Sequence, residues 1–120
     1  MRGVVLAGGL LLYLTGAAVM AQDPVKVDPK HHKVEFENEY VRMVRVTIGP
    51  HEKTLQHEHP ASATVYLTDL HTKIFRPDGT SFENKKKAGQ TSFAKATVHK
   101  SENLLDTTTE FIQIELKIKP

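Results

Sequence analysis

An all-β domain of short antiparallel strands is the fold class the sequence predicts, on three observations. Val44, Val46 and Ile48 alternate with Arg45 and Thr47, and Ile112, Ile114, Leu116 and Ile118 alternate with Gln113, Glu115 and Lys117. A period of two over that length marks a strand with one buried face. Pro77-Asp78-Gly79 lies between Lys73-Ile74-Phe75-Arg76 and Thr80-Ser81-Phe82, which is hairpin punctuation. Beyond the N-terminal segment nothing sustains a helical period, and no internal repeat is visible. Many short strands separated by Gly and Pro turns predict a sandwich or barrel.

The elements follow in order. Met1-Arg2, an almost wholly apolar Val4 to Val19, and small residues ending at Ala21 read as a secretory signal peptide over residues 1–21, with a retained membrane anchor as the rival. Residues 22–32, with two Pro and several charges, are expected to be an exposed lead-in, and residues 33–120 to form one domain. Thr64-Val65-Tyr66-Leu67-Thr68 is rich in β-formers, and Lys85-Lys86-Lys87-Ala88-Gly89 reads as a solvated turn between strands. Tyr66 and Phe93 are expected in the core, as strand aromatics usually are.

Without Arg2 the chain carries about 15 basic and 14 acidic residues, which supplies no electrostatic reason to expect nucleic acid, or a membrane once the signal is removed. Cys is absent. A secreted or periplasmic location would permit disulfides, but packing, and a bound ion, must serve instead; a thiol nucleophile is excluded.

The chemistry-bearing signal is histidine. His57 and His59 are two apart, so on a strand they project to one face about 6.6 Å apart and can converge on one ion. Glu58 between them projects to the other face. A third ligand is needed, and His99, with Asn103 after three intervening residues and Gly89 ten positions before, is placed to provide it.

Gly49, His57 and His59, followed about forty residues later by Gly89, His99 and Asn103, resemble the two motifs of the cupin family. The resemblance covers most of residues 33–118. It implies a small single-domain cupin, a jelly-roll barrel of two antiparallel sheets, in which His57, His59 and His99 meet on a divalent metal. Two departures stand out. Where the family places a glutamate this chain has Ala63 and Thr64, with Asp69 the next carboxylate, and the Pro-x-Gly turn before the second-motif histidine is replaced by Lys95-Ala96-Thr97. The ligand set left, three neutral imidazoles, is similar to that of thiol dioxygenases of the cupin type. Imidazoles suit several divalent transition metals, so Fe, Mn, Zn, Ni and Cu are not distinguished.

His51 is assigned two readings, an exposed turn residue or a group at the barrel mouth that supports the metal ligands or shuttles a proton, and Asn103 likewise a turn cap or a group orienting a ligand. His31, His32 and His71 are expected at the solvated surface. The functional reading is an exported metal-binding cupin with a small-molecule ligand or substrate at the open coordination positions; a dioxygenase or isomerase would fit, but no nucleophile or general base selects a reaction. The alternatives are a metal-free binding or sensing module for a small carbohydrate or organic acid, and a structural homodimer joined through edge strands.

Overall fold

Nine strands and one helical turn make up the computed structural model, which describes residues 22–117. The signal-peptide reading of residues 1–21, and Ile118, lie outside the described residues. Asp23 caps the turn α1 (Pro24–Val27), its Oδ1 accepting from the Val25 N–H at 3.1 Å, with Pro24 at the position where a missing N–H costs nothing. The strands are β1 (His32–Glu37), β2 (Val41–Ile48), β3 (His57–His59), β4 (Ser62–Tyr66), β5 (Leu70–Phe75), β6 (Ser81–Lys86), β7 (Thr91–Ala94), β8 (Thr97–Asn103) and β9 (Thr109–Leu116). They form two antiparallel sheets, ordered β1-β2-β9-β4-β7 and β3-β8-β5-β6. The all-β class holds, with the β5–β6 hairpin turning at Gly79 and the β6–β7 turn at Gly89, each at φ +89°, where a Cβ would be strained.

β2 buries the phase the alternation predicts: Val44, Val46 and Ile48 form the apolar core, with Val25 and Phe111 against it. β9 does the reverse. Gln113 pairs Val44, Phe111 pairs Val46 and Thr109 pairs Ile48, and directly opposed residues of antiparallel strands share a face. Thr109, Gln113 and Glu115 are therefore buried, while Ile112 and Ile114 face outward and are half-buried. The alternation located the strand and assigned its faces backwards.

The lead-in is only partly exposed. Lys26, Pro29 and Lys30 are exposed, while Pro24, Asp28, His31 and His32 are buried, because hydrogen bonds stitch this segment to the barrel. Arg42 donates to Asp23, Asp28 accepts from the Leu55 N–H at 3.1 Å, and the Gln22 carbonyl accepts from the Glu58 N–H at 2.7 Å. Phe93, expected in the core, is 63% exposed, since β7 is an edge strand and Phe93 shares its outward face with Ala63 and Ile114.

Asn103 is wholly buried and does not orient a histidine. Its amide nitrogen donates to the carbonyls of Ile48 (3.1 Å), Gly49 (3.0 Å) and Thr107 (2.9 Å), and its oxygen accepts from the Leu105 N–H at 2.9 Å. It clamps the end of β2 to the loop before β9. Asn103→Ala should lower stability by about 2 kcal/mol, the scale of carbonyls stripped of a buried donor. Urea unfolding would show it, and metal uptake by the folded variant should match wild type; lost uptake with unchanged stability would contradict the clamp.

Candidate metal centre

β3 is only three residues long, yet its register sets the site. His57 lies directly opposite His99 on β8 and His59 opposite Thr97, so the three imidazoles project from one face of two paired strands. Gly49 starts the loop that delivers them. Its N–H donates to Glu52 Oε1 at 2.7 Å, and an added Cβ would lie 2.7 Å from that same oxygen, so a larger residue here would have to displace the Glu52 side chain from the turn.

The ring centroids of His57 and His99 are 4.9 Å apart and those of His59 and His99 4.8 Å. One donor atom from each of the three lies within 4.8 Å of the others, and Nε2 of His59 faces Nε2 of His99 at 3.2 Å. Bonds of 2.0–2.1 Å to one ion put neighbouring nitrogens roughly 3.0–3.4 Å apart, so that pair already sits at the spacing of two ligands. The Nδ1–H of His57 donates to the Leu55 carbonyl at 2.8 Å, which leaves its Nε2 lone pair free. Nδ1 of His59 lies 3.3 Å from the Pro60 carbonyl and 3.1 Å from the Gln113 amide. In the tautomer whose Nδ1–H donates to the Pro60 carbonyl, His59 too keeps a free Nε2.

Electrostatics keeps these rings neutral, the form that binds metal. Burial lowers the pKa of His57 and His59 below the ordinary imidazole value. His99 is pushed down to about 3 by burial and then by its two neighbours.

A fourth imidazole escapes the sequence reading. His32, expected at the surface, is buried on β1 with its ring edge-on to His57 at 4.8 Å between centroids. Its Nδ1–H donates to the Asp28 carbonyl at 3.0 Å, and burial lowers its pKa to about 4. The signal was available once β1 and β2 pair: His32 lies opposite Val46, hence on the inner face. His31, also buried, bonds both Asp28 carboxylate oxygens at 2.9 Å. His51 turns to Asp106 at an exposed φ +57° turn, and His71 pairs with Glu83 on the outer face of β5. Thr64, at the position of the family glutamate, is buried and lines the interior; Asp69 is exposed and accepts from the Ala88 N–H.

The histidines open onto a cavity of about 500 Å³ between the sheets. Val46, Ile48, Leu70, Ile74 and Phe111 supply apolar wall, and Thr54, Tyr66, Thr72, Ser92 and Gln113 polar groups. An apolar enclosure with a few convergent polar groups is the usual form of a small-molecule site.

Solved structures share this arrangement of strands. A cupin domain from Bordetella pertussis Tohama I superposes with a TM-score of 0.67 at 25% identity, covering 72% of this chain and 92% of that one. A conserved protein with a double-stranded β-helix domain from Klebsiella pneumoniae gives 0.59 at 19% identity, over 72% and 75%. A cupin superfamily protein from Desulfitobacterium hafniense gives 0.52 at 13% identity, over 71% and 74%. No protein-family model matches the sequence, and no curated protein does.

Proposed function

Starting from the premise that this chain is a small single-domain cupin, we propose that it is an exported protein binding one divalent transition metal through His57, His59 and His99. A small molecule is received beside the metal, in the same cavity. The convergence of three imidazole donors within 4.8 Å, His57 and His59 buried and His99 half-buried, carries the reading. Three neutral ligands leave the ion its full charge and open positions, and when bound it supplies Lewis-acid polarisation of a group in the cavity. The chain's own residues fix ring orientation: Leu55 O holds His57, and Pro60 O holds His59. Nothing among them selects a reaction.

Elemental analysis of the purified protein after mild chelation tests this, beside His57→Ala and His99→Ala. Wild type should retain close to one metal per chain, and each variant should fall by at least tenfold, since removing one of three ligands removes a coordinate bond that no carboxylate replaces. Equal trace metal in all three would refute the site and leave a metal-free binding pocket, in which the 3.2 Å contact of His59 and His99 is a simple imidazole hydrogen bond. Intact mass of the same sample reads the start of the chain; removal of the leader predicts Gln22, and a mass that includes residues 1–21 would count against it.

A further inference from the structure

The wall of the cavity is charged in one sense. Arg76, Lys86 and Lys95 line it, and among the described residues no Asp or Glu does. None of these three cations is in an ion pair among the described residues. Asp78 feels the charge of Arg76 but forms no ion pair with it, and it and Asp28 are bonded elsewhere. Asp78, at the β5–β6 turn, is exposed and accepts from both the N–H and the hydroxyl of Thr80. Asp28, buried behind His32, is bonded by His31 and the Leu55 N–H.

Arg76 is the cation closest to the chemistry. The β5–β8 ladder runs Thr72↔Asn103, Ile74↔Ser101, Phe75↔Lys100; one step further sets Arg76 beside His99. Arg76 is exposed at the rim of the cavity, and its guanidinium lies over the Phe82 ring, 4.5 Å from the centroid, a contact that biases the fork towards this position without neutralising it.

We propose that the cavity binds a small organic anion, an apolar-bodied carboxylate whose charged end is held by Arg76 next to His99. The inference rests on the preceding reading for the cavity being the binding site, and it names the ligand class. An anion is favoured twice over, by the guanidinium and by a metal whose three ligands carry no charge. Ile74, Phe82 and Phe111 suit an apolar body and offer nothing to a fully hydrated inorganic anion.

Calorimetric titration with benzoate and with benzamide, its uncharged counterpart of the same shape, separates charge from shape. Both are titrated into chelator-stripped and Zn²⁺-loaded protein. Benzoate should bind about ten- to a hundredfold more tightly than benzamide, the scale of a charge-assisted hydrogen-bond pair. In the stripped protein Arg76→Gln should abolish the preference, and it should leave Zn²⁺ uptake intact; inorganic phosphate should not displace benzoate from the stripped protein. In that metal-free form, equal affinity for the two probes, no benzoate binding at millimolar concentration, a preference that survives Arg76→Gln, or displacement by phosphate would each overturn the proposal. The two readings fail separately. Zn²⁺ uptake with no charge preference sinks the anion and spares the metal; an Arg76-dependent preference in protein that takes up no Zn²⁺ sinks the metal and spares the anion.

Discussion

Arg42→Met should destabilise the domain by about 3–5 kcal/mol, the cost of removing one partner from a buried ionic network. Arg42 Nε donates to Glu115 Oε1 at 2.7 Å, and its two terminal nitrogens donate to the Asp23 carboxylate at 3.0 and 2.8 Å. The Glu115 side chain is 4% exposed, and its other oxygen has no partner. Burial already raises the pKa of Glu115 against the pull of Arg42; without the guanidinium this carboxyl must take up a proton or admit water. Asp23 is less committed. Burial works against its charge, yet Arg42 holds its carboxyl below the usual range, and once released it can return to solvent with the lead-in. Since a domain of this size has roughly 5–15 kcal/mol in total, the loss is a large share. Urea unfolding checks it, and adding Glu115→Gln should recover at least half, because a neutral amide tolerates the vacancy better than a carboxylate. A loss below about 1 kcal/mol would show that the network behaves as a surface pair.

Lowering the pH from 7 to 5 should cost the metal-free protein about 4 kcal/mol through His32 and His99 alone. The sign follows from where each proton prefers to be. Unfolded imidazoles titrate near 6.5, whereas the folded values are about 4 for His32 and about 3 for His99, both through burial. Between those limits the unfolded chain binds more protons. The contribution is thus fully present above pH 6.5 and is lost as the pH falls through 6 and 5 towards the folded values. At pH 5 each ring forfeits roughly 2 kcal/mol, and His57 and His59, shifted in the same direction, steepen the decline. Urea midpoints of the stripped protein at intervals from pH 7.5 to 5 measure this. A His32→Asn/His99→Asn variant should be flatter, and a wild-type midpoint constant across the range would disprove the account.

Turns and the His-x-His pair were legible because their signals are local. Pro77-Asp78-Gly79 closes the β5–β6 hairpin wherever the sheets go, and residues two apart on a strand share a face in any fold. His99 was within reach because the second motif lies in register with the first. What eluded the sequence depends on which side of a strand is the inside. Hydrophobic alternation finds the greasy face, but on β9 the inner phase carries Thr109, Gln113 and Glu115 beside Phe111, so the rule points the wrong way there. His32 and Asp28 were hidden in a segment whose Pro and charges read as solvated, although ties from Arg42, Leu55 and Glu58 draw it inward. Arg76 looked like an ordinary hairpin residue, and only the β5–β8 register sets it beside His99.

The strand order β1-β2-β9-β4-β7 places the last described strand in the middle of its sheet. During synthesis, then, the β1–β2 pair and the β4–β7 pair exist as two fragments with nothing between them until residues 109–116 arrive, and β2 must find a partner more than sixty residues away in sequence. Pairing of that range is slow because the loop closes before any contact rewards it. The first sheet closes only when β9 is available, and until then its unpaired strand edges are open to other chains.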